Sequence, residues 1–537
     1  MKKIFLILCT SFIFLFTSCE LLTYLLLNDQ PDDYEEGTKT VKCDPDADIY
    51  LVKLNTTNAK IGASYTGKVT GASRSVDETF EQSYADTDSF IRAINESLVN
   101  VEIDSSRAAA STNYIKSDTN ELNFTEGGKY TLWSFTKPGA TANTGIPGQV
   151  EGICKYAGEH CYVFADKKDS SSDLINLTTS DYKALGRKFD ECYKLEIAVL
   201  GNPFYKKYNS RYYNACNDKI VILVSDLFGD AKKDQENEGG TVGYFYPADL
   251  YNQEYLDNTN GLNKGLSSSS TKYIHSNKME LFYIDSYFLS KMPKTVYSTL
   301  VHEFNHMINY VVKTLTAMTN NPNATSFNSC DTWFTEMLSM VTEDMFQDYL
   351  GIDDLSSPKG RLPYFNNFYN YGFKMWNDNS INQLYMYANT YGFGAFLARN
   401  FGGVKLIKEI AQNPYVNEQA ITKALQACGV NKNFNDVLRK YANCLFHITD
   451  KEDNTIYTFN KSAGKKADTL FFSAININNI KIEGKTYPPK YFRYNEQVDL
   501  YPYGFSVHYV GQNISSFTLT GSKGESINYF LISSYDN

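Results

Sequence analysis

The stretch His302-Glu303-Phe304-Asn305-His306 constrains this chain more than any other. On a helix, residues four apart lie on one face at 3.6 residues per turn, so both imidazoles can reach one metal ion. Glu303 is rotated by about a third of a turn. That sets its carboxylate beside an open coordination position, where it can act on a bound water. The flanks read as a helix. Pro293 suits a first turn, and Val296, Leu300, Phe304, Met307, Ile308, Val311, Val312 and Leu315 recur on the face turned away from the histidines. The alternative is a buried helix with two structural histidines. With only six histidines in 537 residues, the five-residue pattern is expected by chance on the order of 0.003 times per chain. A structural pair explains neither the intervening glutamate nor the acidic helix downstream, so the pattern reads as a zinc site.

The length allows roughly two to four domains and an ample core. A net charge of −10 without any basic cluster argues against a nucleic-acid partner. The 42 Tyr and 34 Phe suit half-exposed strands and wet clefts but identify no ligand.

The N-terminus reads as a targeting segment. Met1-Lys2-Lys3 precedes an apolar run over 4–16 that is too short to span a bilayer stably. Leu15-Phe16-Thr17-Ser18-Cys19 then resembles a bacterial lipobox, predicting a signal peptide and lipidated cysteine over 1–19. Acyl chains on Cys19 would anchor an exported protein to the bacterial cell envelope, at the outer membrane or cell surface, with its folded part in water. A plain secretory signal is the alternative. Eight cysteines remain beyond Cys9 and Cys19. An even number in an exported chain permits disulfides, and Cys154 with Cys161, symmetric about Ala157-Gly158, are the expected pair. No Cys-x-x-Cys occurs, so the cysteines are not the metal site.

Along the chain, the acidic stretch within 20–46 reads as a tether. Strand patterns at 49–54 and 128–135 flank a polar, Ser-rich passage over 71–120, which suggests an N-terminal β-rich module over 47–148. From 149 the pattern tightens: a hairpin over 153–164, a helix over 179–194, and strands at 219–226, 241–246 and 279–285. Strands that precede a metal-carrying helix imply a mixed-sheet half followed by a helical half with a cleft between them, an α+β catalytic domain over 149–450. Helices are expected at 333–349, 392–400, 404–412, 418–427 and 434–446. Short alternating runs at 469–472, 505–510 and 529–532 then suggest a C-terminal β-rich module over 451–537.

A catalytic zinc normally takes a third protein ligand. Glu336 lies on the next strong helix, 30 residues after His306, and Glu343 lies two turns further on the same face. Either can be the ligand, and the other a partner behind it.

Ser298-Thr299-Leu300-Val301-His302-Glu303-Phe304-Asn305-His306-Met307-Ile308-Asn309-Tyr310, followed by Trp333-x-x-Glu336-x-x-Ser339, resembles the hyicolysin family of zinc metallopeptidases. These are gluzincins, the thermolysin-like group whose third ligand is a glutamate. The likeness extends more weakly to Gly158-Glu159-His160-Cys161-Tyr162-Val163, Gly243-Tyr244-Phe245 and Tyr391-Gly392-Phe393-Gly394-Ala395-Phe396-Leu397, so it covers about 150–450. It implies a thermolysin-like catalytic domain flanked by small β modules, and hydrolysis of peptide bonds in a protein or peptide substrate. One zinc ion would be held by His302, His306 and Glu336, with Glu303 as general base and then acid. Tyr391 matches the place from which a gluzincin steadies the oxyanion, with aromatic packing as its alternative. Where the family often has an aspartate after the serine of Glu-x-x-Ser, this chain has Met340, and Glu343 is the candidate to orient a zinc histidine instead. The strand over 279–285 is expected to be the edge on which an extended substrate pairs. An aminopeptidase, or a surface binding protein that has lost the chemistry, are the rival readings. The intact ligand set speaks against the second.

Overall fold

A computed structural model describes residues 37–42, 47–60, 123–134, 148–169, 175–204, 219–228, 240–257, 261–268, 270, 273–315, 330–376, 383–446, 450, 453–466, 468–482, 484–494, 496–511, 516–521 and 527–535. The expected signal peptide and Cys19, the tether up to residue 36, the Ser-rich passage, Cys43 and Cys216 lie outside the described residues. The chain forms two compact units, residues 81–489 and residues 1–80 with 490–537.

The larger unit is α+β, a mixed-sheet half followed by a helical half, in keeping with the thermolysin-like architecture that the resemblance implies. Its strands β3 (Lys129–Ser134), β4 (Gly148–Ala157), β5 (Cys161–Asp166), β6 (Ile220–Ser225), β7 (Gly243–Phe245) and β8 (Leu281–Asp285) form one sheet in the order β3-β4-β5-β6-β8-β7. β5, β6 and β8 run parallel, and the other pairings are antiparallel. The continuous apolar runs of β6 and β8 are buried at every position, as parallel strands covered on both faces should be. α1 (Thr179–Leu200) and α2 (Pro293–Asn309) are joined to the sheet by an aromatic cluster. Phe189 of α1 meets Phe282 of β8 and, at 5.0 Å between centroids, Phe304 of α2.

Two local devices set the position of α2. Asp285, at the end of β8, accepts hydrogen bonds from the backbone N–H of Phe288 and of Leu227, capping the short helix Ser286–Lys291 that leads into α2. At its far end α2 widens into a π-turn over Tyr310–Leu315. This turn carries the buried Lys313, whose ammonium donates to the carbonyl oxygens of Ile410, Asn413 and Tyr415. Those oxygens belong to the end of α6 (Gly403–Gln412) and the residues after it, where a cation complements the helix dipole.

The helical half is α3 (Thr332–Leu350), α4 (Leu362–Phe368), α5 (Gln383–Phe401), α6, α7 (Asn417–Ala427) and α8 (Phe434–Ala442). α3 packs on α2 and α5 on α3. The approach of α5 depends on Gly394, where a Cβ would sit 2.6 Å from Val341 Cγ1 and 2.8 Å from Met337 Cγ. α5 begins nine residues before the expected 392, because its first turns carry partly exposed aromatics without an amphipathic period.

Three expectations are corrected. The strand at 281–285 is internal, lying between β6 and β7, so among the described residues β7 is the edge on that side of the sheet. Cys154 and Cys161 are free thiols, because the hairpin register sets Cys154 opposite Phe164, three residues along β5 from Cys161. The run at 469–472 contributes only a single bridge, Ala463 to Phe472.

The smaller unit is assembled from both ends of the chain. β2 (Ala47–Asn55) runs between β12 (Phe505–Gly511) and β14 (Ile527–Tyr535), antiparallel to each, with β11 (Phe492–Arg493) beyond β12. β1 (Gly37–Lys42), inside the stretch expected to be tether, pairs with β13 (Ser516–Gly521). Leu51, Val52 and Leu54 are fully buried, so β2 is covered on both faces.

His508 of β12 is buried, its Nδ1–H donating to the Arg493 carbonyl while Nε2 accepts from the Ser506 hydroxyl. Burial pushes its pKa from 6.5 down to about 4. The unfolded chain therefore takes up this proton first, and stability is lost as pH falls from 6.5 towards 4, by on the order of 3 kcal/mol. Hydrogen exchange of the β12 amides, corrected for intrinsic rate, should lose protection across that window. A His508→Phe variant should lose less, and identical profiles would remove His508 as the cause.

Candidate metal centre

The facing surfaces of α2 and α3 bring together His302, His306 and Glu336, whose ligand atoms all lie within 4.8 Å of one another. Both imidazoles come from one face of α2, and Glu336 from the second turn of α3. The two Nε2 atoms are 3.0 Å apart, and Glu336 lies 3.3 Å from one and 3.5 Å from the other.

The partners behind the imidazoles set their tautomers. His302 Nδ1 is 2.7 Å from Glu343 Oε1, so this nitrogen carries the proton and donates it. Glu343 Oε2 in turn accepts from the Ser298 hydroxyl at 2.5 Å. The Ser339 hydroxyl donates to the His302 carbonyl and lies 3.3 Å from His306 Nδ1, which can donate back to the same oxygen. In the neutral imidazoles both Nε2 atoms are thereby left as bare acceptors facing each other, with a carboxylate beside them. Glu336 Oε2 is buried without a hydrogen-bond partner. Three acceptors converging with no donor between them suit a cation, and two imidazoles with one carboxylate are a donor set typical of zinc.

The electrostatics agree. Burial by itself raises the Glu336 carboxyl, but the imidazoles of His306 and His302 outweigh it and hold the group well below the usual carboxylate range. Burial likewise opposes charge on His302, yet Glu336, Glu343 and Glu303 push its pKa well above the ordinary value. The pocket favours positive charge.

Glu303, one residue beyond His302 on α2, is buried at 5 % exposure and is among the groups that bear on His302. Tyr391 stands elsewhere in the network. It is fully buried and donates its hydroxyl to Asp344 Oδ2 at 3.0 Å. Asp344 also accepts two bonds from Arg399, and both side chains are fully buried. This geometry gives Tyr391 a structural task, tying α5 to α3, and its proton is already committed. Cys19 lies outside the described residues.

Sequence reasoning passed over three residues here. Ser298 stands four before His302 and so shares its face, a spacing that could have drawn notice. Asn305 donates to the Thr342 hydroxyl across the helix pair, a bond no local pattern announces. Glu196 of α1 is fully buried with both carboxyl oxygens unpartnered, and burial pushes its pKa well above the usual range, against the pull of His302.

Comparison with known proteins adds one likeness. The chain is 30 % identical over 262 residues, 46 % of its length, to the neutral metalloprotease ShpI of Staphylococcus hyicus. It spans about half the length of that relative, 49 %. No family model matches the chain. The likeness supports membership of the metallopeptidases in general.

Metal binding tests the centre directly. The purified protein should hold about one zinc ion per chain, and His302→Ala or His306→Ala should release it. Glu336→Gln should weaken metal affinity strongly, whereas Glu343→Gln should weaken it by about 10–100-fold. The reverse order by chelator competition would exchange the roles of the two glutamates.

Proposed function

We propose that this chain is a zinc-dependent endopeptidase that hydrolyses peptide bonds in extracellular or envelope proteins. The observation that carries the reading is the convergence of His302, His306 and Glu336, with Glu303 on the same helix turn. His302, His306 and Glu336 would hold the ion, with Glu343 orienting His302. When bound, zinc supplies a Lewis acid that polarises the scissile carbonyl and acidifies a water. Glu303 then acts as the proton carrier. Its carboxylate takes the proton from the attacking water and delivers it to the leaving nitrogen, as general base and then general acid.

Substrate placement follows from the sheet. β7 is paired on one side only among the described residues, and it lies against α2, where a Cβ on Gly243 would come 2.8 Å from Thr299 Cγ2. An extended peptide adding to its open side would run alongside the helix that carries the ligands. Backbone pairing of this kind favours an internal segment of a polypeptide over a free terminus, which supports the endopeptidase reading over an aminopeptidase.

The membrane enters through the N-terminus. The lipobox-like stretch ending at Cys19 supports export and attachment to the cell envelope by a lipid anchor. No helix among the described residues is long and apolar enough to cross a membrane.

Two experiments test these statements. Hydrolysis of denatured casein should require zinc and fall by about 10²–10⁴-fold in Glu303→Gln while zinc stays bound. Zinc binding without any hydrolysis in the wild type would make the chain a binding protein. A Cys19→Ala variant should move to the aqueous phase of a detergent partition, and equal partitioning of both forms would leave a plain signal peptide.

A further inference from the structure

We infer that Ser298 is a positioning residue for the metal centre, acting through Glu343 on His302. The inference rests on the zinc reading of the site. It adds a third member to the chain behind the imidazole, one that lies outside both His-Glu-x-x-His and Glu-x-x-Ser.

The geometry is a relay across two helices. Ser298 and His302 stand one turn apart on the same face of α2, and Glu343 reaches between them from α3. Its Oε1 accepts the His302 Nδ1–H at 2.7 Å and its Oε2 accepts the Ser298 hydroxyl at 2.5 Å. Ser298 is 1 % exposed and Glu343 5 % exposed, so no bulk water competes for either oxygen. Charge-assisted bonds in such a place are strong and directional.

Glu343 needs this second anchor. A glutamate carries three side-chain torsions, and one bond to an imidazole leaves its carboxylate free to turn about that bond. The serine hydroxyl supplies a second point and fixes the plane of the group. It can only donate to a carboxylate, so it also holds that carboxylate in the acceptor role towards Nδ1–H. His302 is then kept in the tautomer whose Nε2 lone pair faces His306 and Glu336. Met340, fully buried one turn earlier on α3, offers no donor or acceptor of comparable strength. The shorter route to the imidazole is closed, and the longer one is braced by Ser298.

The alternative is that the hydroxyl merely satisfies a buried carboxylate. A double-mutant cycle on metal affinity separates the two, read by chelator competition on metal-depleted protein reloaded with zinc. Ser298→Ala should weaken zinc binding by about 3–10-fold, less than the 10–100-fold of Glu343→Gln. In a Glu343→Ala background the serine change should have no effect beyond about twofold, because its route of action is gone. Ser298→Thr, which keeps the hydroxyl, should restore most of the affinity. The imidazole ¹⁵N signals of zinc-loaded protein give an independent readout: the His302 Nδ1–H resonance should broaden or shift in Ser298→Ala while that of His306 stays. Unchanged zinc affinity in Ser298→Ala, or an equal loss in both backgrounds, overturns the inference. Failure of the wild type itself to bind zinc overturns the proposed function instead.

Discussion

The polar seam between α2 and α3 is what the centre depends on. Two helices that met through apolar side chains alone could slide or rotate by a fraction of a turn at small cost. Here the pairs Ser298–Glu343, His302–Glu343, Asn305–Thr342 and His306–Ser339 are buried or partly buried, and each is made across the interface. A shift in register would strand all of them at once, and each stranded buried group costs about 1–3 kcal/mol. That penalty holds Glu336 opposite the two imidazoles. The acceptors left there without donors suit a cation.

Behind the seam lies a second constraint. Asp344 follows Glu343 directly on α3 but points to the other side, where it meets Arg399 and Tyr391 of α5. A buried pair of this kind adds little net stability compared with an apolar packing, yet removing one partner leaves an uncompensated charge at a cost of about 3–5 kcal/mol. It therefore specifies orientation. Arg399 also donates to the Ser473 carbonyl, and Lys359 to the Ser473 hydroxyl. The segment around Ser473 is thereby held on the helical half, although its composition resembles part of a separate β module.

The convergence of His302, His306 and Glu336 was legible because its information is local. His302 and His306 are fixed by helical spacing, and Glu336 stands out as a carboxylate set among Trp333, Phe334 and Met337, where burial of a charge needs a reason. Glu343 followed from the same face two turns on. The α+β arrangement was legible from continuous apolar strands ahead of the helix. Pairing was not, because a strand's neighbours are chosen by shape and burial across the whole chain. Nothing in 281–285 says that β7 will cover its flank, and nothing in 49–54 names partners beyond residue 500. Tyr391 illustrates the limit for side chains: its neighbourhood of Gly392, Phe393 and Gly394 matched a pattern, while the hydroxyl's destination depended on Asp344 and Arg399.

The placement of β2 has a consequence for the order in which the protein can be built. The Tyr509 hydroxyl bonds Asp48 across a separation of 461 residues, and β12 pairs with β2 from Ile49 to Leu54 while β14 pairs along the whole of it. Loop-closure entropy grows only slowly with length, so stability is little affected. Timing is affected. Until residues 505–535 have been synthesised, β2 is an apolar strand with both hydrogen-bonding edges vacant, the kind of template that captures strands of neighbouring molecules. The larger unit can close around its own core meanwhile. Loss of the C-terminal strands by truncation or nicking would thus be felt first at the opposite end of the polypeptide, as an N-terminal segment prone to association.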